Sequence, residues 1–151
     1  MIKLFHFPLC PFSRRVRLSL CEMNVAFSMI NENIWDERRE FLALNPAGTL
    51  PLIIDEDDNI IINTYAIIEY IEEKFKDDNT NLSYISGDIY QKAEIRRLID
   101  WFDNKFYREV TKVIIRELID KYYQKDELDN TSPNMELVRL AQENSFYHFD
   151  Y

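Results

Sequence analysis

Cys10-Pro11-Phe12-Ser13 is the segment of this chain whose residue types and spacing point most directly to chemistry. Cysteine acts as a nucleophile through its thiolate. A thiolate is favoured beside the N-terminal end of a helix, where unpaired backbone N–H groups and the positive end of the macrodipole face the sulfur. Pro11 suits a first helical turn, because the N–H it lacks would have had no intrahelical partner. Phe12, Val16 and Leu20 then recur four apart, the spacing of one helical face. Cys10 therefore reads in two ways: as a reactive thiol, or as a small buried hydrophobe, the commoner role of a free cysteine. Cys21 is not its disulfide partner. The intervening helix separates the two by ~16 Å, against a Cα limit of ~7 Å. Ser13 stands where a dithiol motif would carry its resolving cysteine, so a disulfide made by Cys10 is a mixed one, with a small thiol.

The elements that must position this segment follow from local pattern. Ile2-Lys3-Leu4-Phe5-His6 alternates and predicts a strand near 2–6, followed by a helix near 11–24 and a second strand near 25–30. A helical segment around 36–44 has Phe41, Leu42 and Leu44 as its apolar side. Two β-rich runs, Leu50 to Ile54 and Ile60 to Ile62, flank Asp55-Glu56-Asp57-Asp58-Asn59, which reads as a hairpin turn. A helix from about Thr64 to Lys76 faces Ile67, Ile68 and Ile71 inward. The order βαβ–α–ββα predicts an α/β unit, a small mixed sheet covered by helices, over residues 1–77. Residues 78–87 are polar, contain Gly87 and read as a linker. Residues 88–151 then read as all-helical. The long helix near 88–124 carries Leu98, Trp101, Phe102, Phe106, Val110, Val113, Ile114 and Leu118, read mainly as core. A polar break from Lys125 to Pro133 precedes a last helix that begins near Asn134.

Composition narrows the function classes. With 151 residues, 46% hydrophobic and 30% charged, the chain is globular and bears one good core, or one small domain plus part of a second. Apolar runs fall short of the ~18 residues that span a bilayer, which excludes a membrane span as the reading. Pro8 and Pro11 interrupt the N-terminal segment, so it does not read as a signal peptide. Two cysteines unable to pair fit a reducing compartment, and the cytoplasm is the expected location. Net charge is −9. Residues 1–31 hold Lys3, Arg14, Arg15 and Arg17 against Glu22, a local +3, so the remainder carries −12. That acidic body argues against nucleic acid, whose phosphates need a basic face. The basic patch around Cys10 suits an anionic small ligand, although by itself it reads more readily as a solvated helix face.

Two further markers lie downstream. In Asn45-Pro46-Ala47-Gly48-Thr49-Leu50-Pro51, Gly48 permits a tight turn and Pro51 heads a strand; a cis Leu50-Pro51 bond would leave the Leu50 backbone open to a ligand. Asn63-Thr64 begins a helix, where a hydroxyl and free N–H groups can hold a carboxylate. These segments, with the Ile-x-Glu-Tyr-Ile run at 67–71, resemble the glutathione transferase superfamily over essentially the whole chain, in its cysteine type. Asp100-Trp101-Phe102-Asp103-Asn104-Lys105-Phe106-Tyr107 is similar to the first helix of that family's helical domain, and Pro133-Asn134-Met135-Glu136 to the start of the next.

The resemblance implies a thioredoxin-like N-terminal domain with glutathione as co-substrate and no metal. Cys10 would be the catalytic residue, with Ser13 as a second hydroxyl. Phe12 would line the glutathione pocket. Leu50 would pair its backbone with the cysteinyl moiety, Pro51 would be the cis-proline, and Thr64 would grip the γ-glutamyl carboxylate. Asn63 departs from the pattern, since the family usually has an acidic residue there to bind the γ-glutamyl amine. The implied activity is glutathione-dependent thiol transfer, reducing mixed disulfides, or conjugation of glutathione to a small electrophile. The alternative is a non-catalytic interaction module of the same fold, or a truncated remnant. The family's helical domain is usually longer, so the aromatic run Phe146-Tyr147-His148-Phe149-Asp150-Tyr151 is expected either to be covered in a homodimer or to mark a fragment. His148 has no metal-ligand company and is expected to be structural.

Overall fold

The computed structural model describes residues 1–75, 83–123 and 132–151, which form two compact units, Met1–Tyr84 and Ile85–Tyr151. Lys76, the first half of the expected linker (78–82) and most of the polar break from Lys125 lie outside the described residues.

The first unit runs β1 (Ile2–His6), α1 (Pro11–Glu22), β2 (Phe27–Asn31), a 3-10 turn (Ile34–Asp36), α2 (Arg39–Leu44), β3 (Leu52–Ile54), β4 (Ile60–Ile62) and α3 (Thr64–Phe75). Its sheet order is β2-β1-β3-β4. β1 and β2 are parallel, with Phe5 opposite Ile30. β3 is antiparallel to β1, with Phe5 opposite Leu52, and β4 is antiparallel to β3, with Leu52 opposite Ile62. Strand side chains alternate between faces, so each face has its own core. On one face Ile2, Leu4 and Ile53 meet Val16 and Leu20 of α1 and Ile67, Ile68 and Ile71 of α3, all buried. On the other, Phe5 and Leu52 pack on Phe41 of α2.

Two local expectations change. The segment expected to be helical over 36–44 is divided, because Glu37 adopts a left-handed φ of 44° between the 3-10 turn and α2. The buried stripe of α1 is Ser13, Val16, Ser19 and Leu20, with Phe12 only half-buried. Ser13 and Val16 lie three apart and Val16 and Leu20 four apart, so this stripe satisfies helical periodicity as well as Phe12 does.

The hairpin turn closes on Asp55. Its side chain accepts from the backbone N–H of Asp57 and Asn59 (2.9 and 2.8 Å), from Asn59 Nδ2, from Lys74 Nζ at 3.1 Å and from the Tyr70 hydroxyl. These five donors, led by the Tyr70 hydroxyl and Asn59, hold the Asp55 carboxyl well below the usual carboxylate range. They also tie α3 to the hairpin.

In the second unit, α4 (Ile89–Asp100) starts at a capping box formed by Asp88 and Gln91. It continues without a break through a wider π-helical stretch (Trp101–Thr111), an α turn (Lys112–Ile115), a second π stretch (Arg116–Asp120) and a last turn (Lys121–Tyr123). The expected helix is thus present, but its wider turns change the face. Val110 is buried, whereas Leu98, Phe102 and Leu118 are exposed. Asn134 caps α5 (Met135–Phe149), and its N–H donates to buried Glu117 at 2.8 Å. His148 is buried against Trp101 and Phe106. Its Nε2 lies 3.1 Å from Glu109 Oε2, off the line of a hydrogen bond. Phe146, Tyr147, Phe149 and Tyr151 are exposed, although Tyr151 stacks on Trp101 with centroids 4.1 Å apart.

Candidate functional site

Sheet register gathers the three sequence markers at one end of the first unit. β1 ends at His6 and leads to Cys10. β3 starts opposite the last residues of β1, so Pro51 sits at that same end. β4 runs back alongside β3 and delivers Asn63 and Thr64 beside it. Among the expected site residues, Cys10, Phe12, Leu50, Pro51, Asn63 and Thr64 all belong to segments that open on this end.

Cys10 is the N-cap of α1, with Pro11 at the first helical position. Its N–H donates to the Phe7 carbonyl at 3.1 Å, closing the β1–α1 loop, and its Sγ accepts from the Ser13 N–H at 3.5 Å. The sulfur thereby satisfies one of the helix's unpaired N–H groups. Cys10 is half-buried, while Cys21 is exposed near the far end of the same helix.

Ser13 takes a different place from the one expected. Its side chain is fully buried, and its hydroxyl is among the few buried polar atoms with no partner among the described residues. What Ser13 offers Cys10 is its backbone N–H; its hydroxyl is buried.

The Leu50-Pro51 peptide is cis, and Pro51 is buried. The loop before it is held by Asn45, which is buried: its Nδ2 donates to the Thr49 carbonyl at 2.7 Å, and its Oδ1 accepts from the Ala47 N–H at 3.1 Å. Gly48 completes this turn at φ +61°, donating to the Asn45 carbonyl at 2.9 Å.

Asn63 adopts φ +80° and caps α3, its Oδ1 accepting from the Tyr65 N–H at 2.8 Å. Asn tolerates this region better than most residues. Thr64 is buried at the helix start. With Oδ1 engaged in the cap, the other terminus of the Asn63 side chain is an NH₂ donor.

Sequence reading missed the polar cluster beneath the Cys10 loop. Arg17 reaches back along α1 to donate to the Pro8 carbonyl at 3.2 Å, and its Nη1 lies 2.9 Å from Nδ1 of buried His6. Burial and the nearby guanidinium both lower the His6 pKa. Glu32, fully buried at the end of β2, accepts a two-pronged contact from Arg38 (3.1 and 2.7 Å) and donates its N–H to the His6 carbonyl. These partners come from separate elements and loops, and residue type was the only signal. Among the described residues, no cluster of metal-ligating side chains occurs, and no helix is long and apolar enough to cross a membrane.

A family model described as the glutathione S-transferase N-terminal domain matches residues 4–79. FtsZ-localized protein A of Caulobacter vibrioides is 34% identical, the alignment covering 98% of this chain and 63% of that protein. Glutathione S-transferase U22 of Arabidopsis thaliana is 28% identical over 68% of this chain and 46% of its own length. A crystal structure of a glutathione S-transferase from Rhodospirillum rubrum superposes with a TM-score of 0.88 at 34% identity, covering all of this chain and 64% of the other. The structure of FzlA from C. crescentus gives the same score at 33% identity, covering 99% and 64%. The chain thus spans less than two thirds of the length of these relatives. By sequence and by fold, it belongs to the glutathione S-transferase superfamily, with that family's thioredoxin-like unit followed by a helical region.

Proposed function

We propose that the Cys10 end of the sheet binds glutathione and that Cys10 carries out glutathione-dependent thiol transfer. The observation that carries this reading is the Cys10 sulfur at the N-cap of α1, facing the Ser13 N–H, on the same sheet end as Pro51 and Thr64. From β1 to β4 is two strand spacings, about 10 Å. An extended tripeptide spans a similar length. Glutathione would lie across this end with its thiol toward Cys10, its cysteinyl backbone against Leu50, Phe12 alongside, and its γ-glutamyl carboxylate at the start of α3 by Thr64.

The chemistry is a pair of exchanges. The Cys10 thiolate attacks the glutathione sulfur of a mixed disulfide, forming a Cys10–glutathione disulfide and releasing the other thiolate, which takes up a proton. A second glutathione, as thiolate, then attacks the glutathione sulfur of that disulfide, forming oxidised glutathione and returning Cys10 to the thiolate. With the Ser13 hydroxyl buried, Cys10 itself would have to hydrogen-bond the glutathione thiolate if the site ran conjugation instead.

A second reading rests on one observation: a relative similar over 98% of this chain is named for localisation with FtsZ, which favours a non-catalytic interaction module of the same fold. Calorimetric titration of reduced glutathione into the reduced protein at pH 7 separates the two. Binding tighter than about 1 mM, or −4 kcal/mol, supports the enzyme reading. No heat from a folded sample overturns it in favour of the interaction module.

A further inference from the structure

We infer that Arg17 and His6 form a clamp that positions the Cys10 loop, making Arg17 a positioning residue for the thiol chemistry. The inference rests on the assignment of Cys10 as the working thiol. Seven residues separate Cys10 from Arg17, close to two helical turns, so both lie on one face of α1 with Arg17 about 10 Å further along. Helical side chains lean toward the N-terminus, which aims the long Arg17 stem back at the loop. Its guanidinium then holds two points at once, the Pro8 carbonyl and His6 at the end of β1.

The hydrogen-bond roles follow from the chemistry of the two groups. A guanidinium only donates, so His6 Nδ1 must accept and the ring proton sits on Nε2. His6 is held in turn by its strand and by the Glu32 N–H on its carbonyl at 2.9 Å. The result is a brace from the rigid sheet through His6 and Arg17 to Pro8, two residues before the cysteine. Pro8 and Leu9 are exposed and have little packing of their own. The Phe7–Cys10 hydrogen bond and this clamp therefore hold the loop on its strand side, while the Ser13 N–H on Sγ and the Arg14 N–H on the Cys10 carbonyl hold it on its helix side. The fork also explains why arginine suits the position: a lysine is a single point charge that cannot span both acceptors with the same geometry.

The test uses Arg17→Met, which keeps the apolar stem, and Arg17→Lys, which keeps the charge. His6→Gln is added because its amide oxygen can still accept from Arg17. The first readout is hydrogen exchange at the Cys10 N–H, which reports the loop directly whether or not the thiol is activated. The second is the rate at which iodoacetamide alkylates Cys10, the sulfur displacing iodide, with exposed Cys21 as reference in the same molecule. For Arg17→Met we expect faster exchange at Cys10 and alkylation slowed about tenfold relative to Cys21, within the ~100-fold that a 1 Å misplacement can cost. Arg17→Lys should remain impaired and His6→Gln should retain most of the wild-type behaviour. Unchanged exchange at Cys10 in folded Arg17→Met overturns the clamp, as does full rescue by lysine, which would make charge alone sufficient. Wild-type Cys10 that reacts no faster than Cys21 overturns the thiol-transfer reading instead, while the exchange measurement still decides the clamp.

Discussion

Replacing Asn63 with Asp puts the glutathione reading under direct quantitative test. Asn63 spends its Oδ1 on the α3 cap, accepting from the Tyr65 N–H at 2.8 Å. That leaves an NH₂ group, a donor, where the resemblance places an acidic partner for the γ-glutamyl ammonium. Ammonium and NH₂ are both donors, so the wild-type contact is mismatched. Asp keeps the cap through one oxygen, tolerates the φ of +80°, and offers its second oxygen as a charged acceptor. A charge-assisted hydrogen bond contributes about 1.5–3 kcal/mol. Asn63 is exposed, so the lower end applies, and about 1.5 kcal/mol corresponds to roughly tenfold tighter glutathione binding. The same substitution adds a negative charge at a helix N-terminus, worth about 0.3–1 kcal/mol of stability without any ligand. The assay pairs calorimetric titration of glutathione with thermal melts of the ligand-free protein. The expected outcome is a tighter Kd together with a Tm raised by a few degrees. A raised Tm with unchanged glutathione affinity would show that the cap is as described but the amine does not sit at Asn63, refuting the placement of glutathione.

Three other perturbations test the structure around the site. Ser13→Ala removes a buried hydroxyl with no partner among the described residues, so stability should hold or rise by up to about 1 kcal/mol, with thiol transfer retained; a large loss of activity in a stable protein would give the hydroxyl a chemical role after all. Gly48→Ala places a Cβ in ordinary contact, 3.4 Å from Leu42 Cδ2, but forces a left-handed φ, so thermal melts should show a loss of about 1–2 kcal/mol from backbone strain alone. The lowered Asp55 pKa means that its contribution to stability is present above the unfolded value near pH ~4 and is lost as pH falls through the folded value. Asp55→Asn should therefore melt lower than wild type at pH 7, with the gap narrowing toward pH 3. A gap that stays constant with pH would disprove the charged network.

Much of the first unit is determined by residues close in sequence. The alternation in Ile2–His6, the proline at the first position of α1, the acidic turn ending at Asn59 and the inward stripe Ile67, Ile68 and Ile71 each specify an element through short-range sterics and periodicity. Cys10 as a helix cap belongs here too, since cap, proline and helix are contiguous. The three-segment site is another matter. Cys10, Pro51 and Thr64 converge only because β3 and β4 add antiparallel to β1 in the order β2-β1-β3-β4, a choice made by packing two apolar faces at once. Periodicity allowed either Phe12 or Ser13 to join the buried stripe of α1, and the sheet beneath the helix selected Ser13. The Arg17–His6 contact likewise depends on the angle at which α1 crosses β1, which no local pattern encodes. In the helical unit the sequence specified a long helix, but its π turns and the burial of Val110 rather than Phe102 depend on packing against α5. Short-range steric preference and periodicity are written in neighbouring residues. The side on which a helix is buried, and the residues that then meet across the fold, are decided by the surfaces it covers.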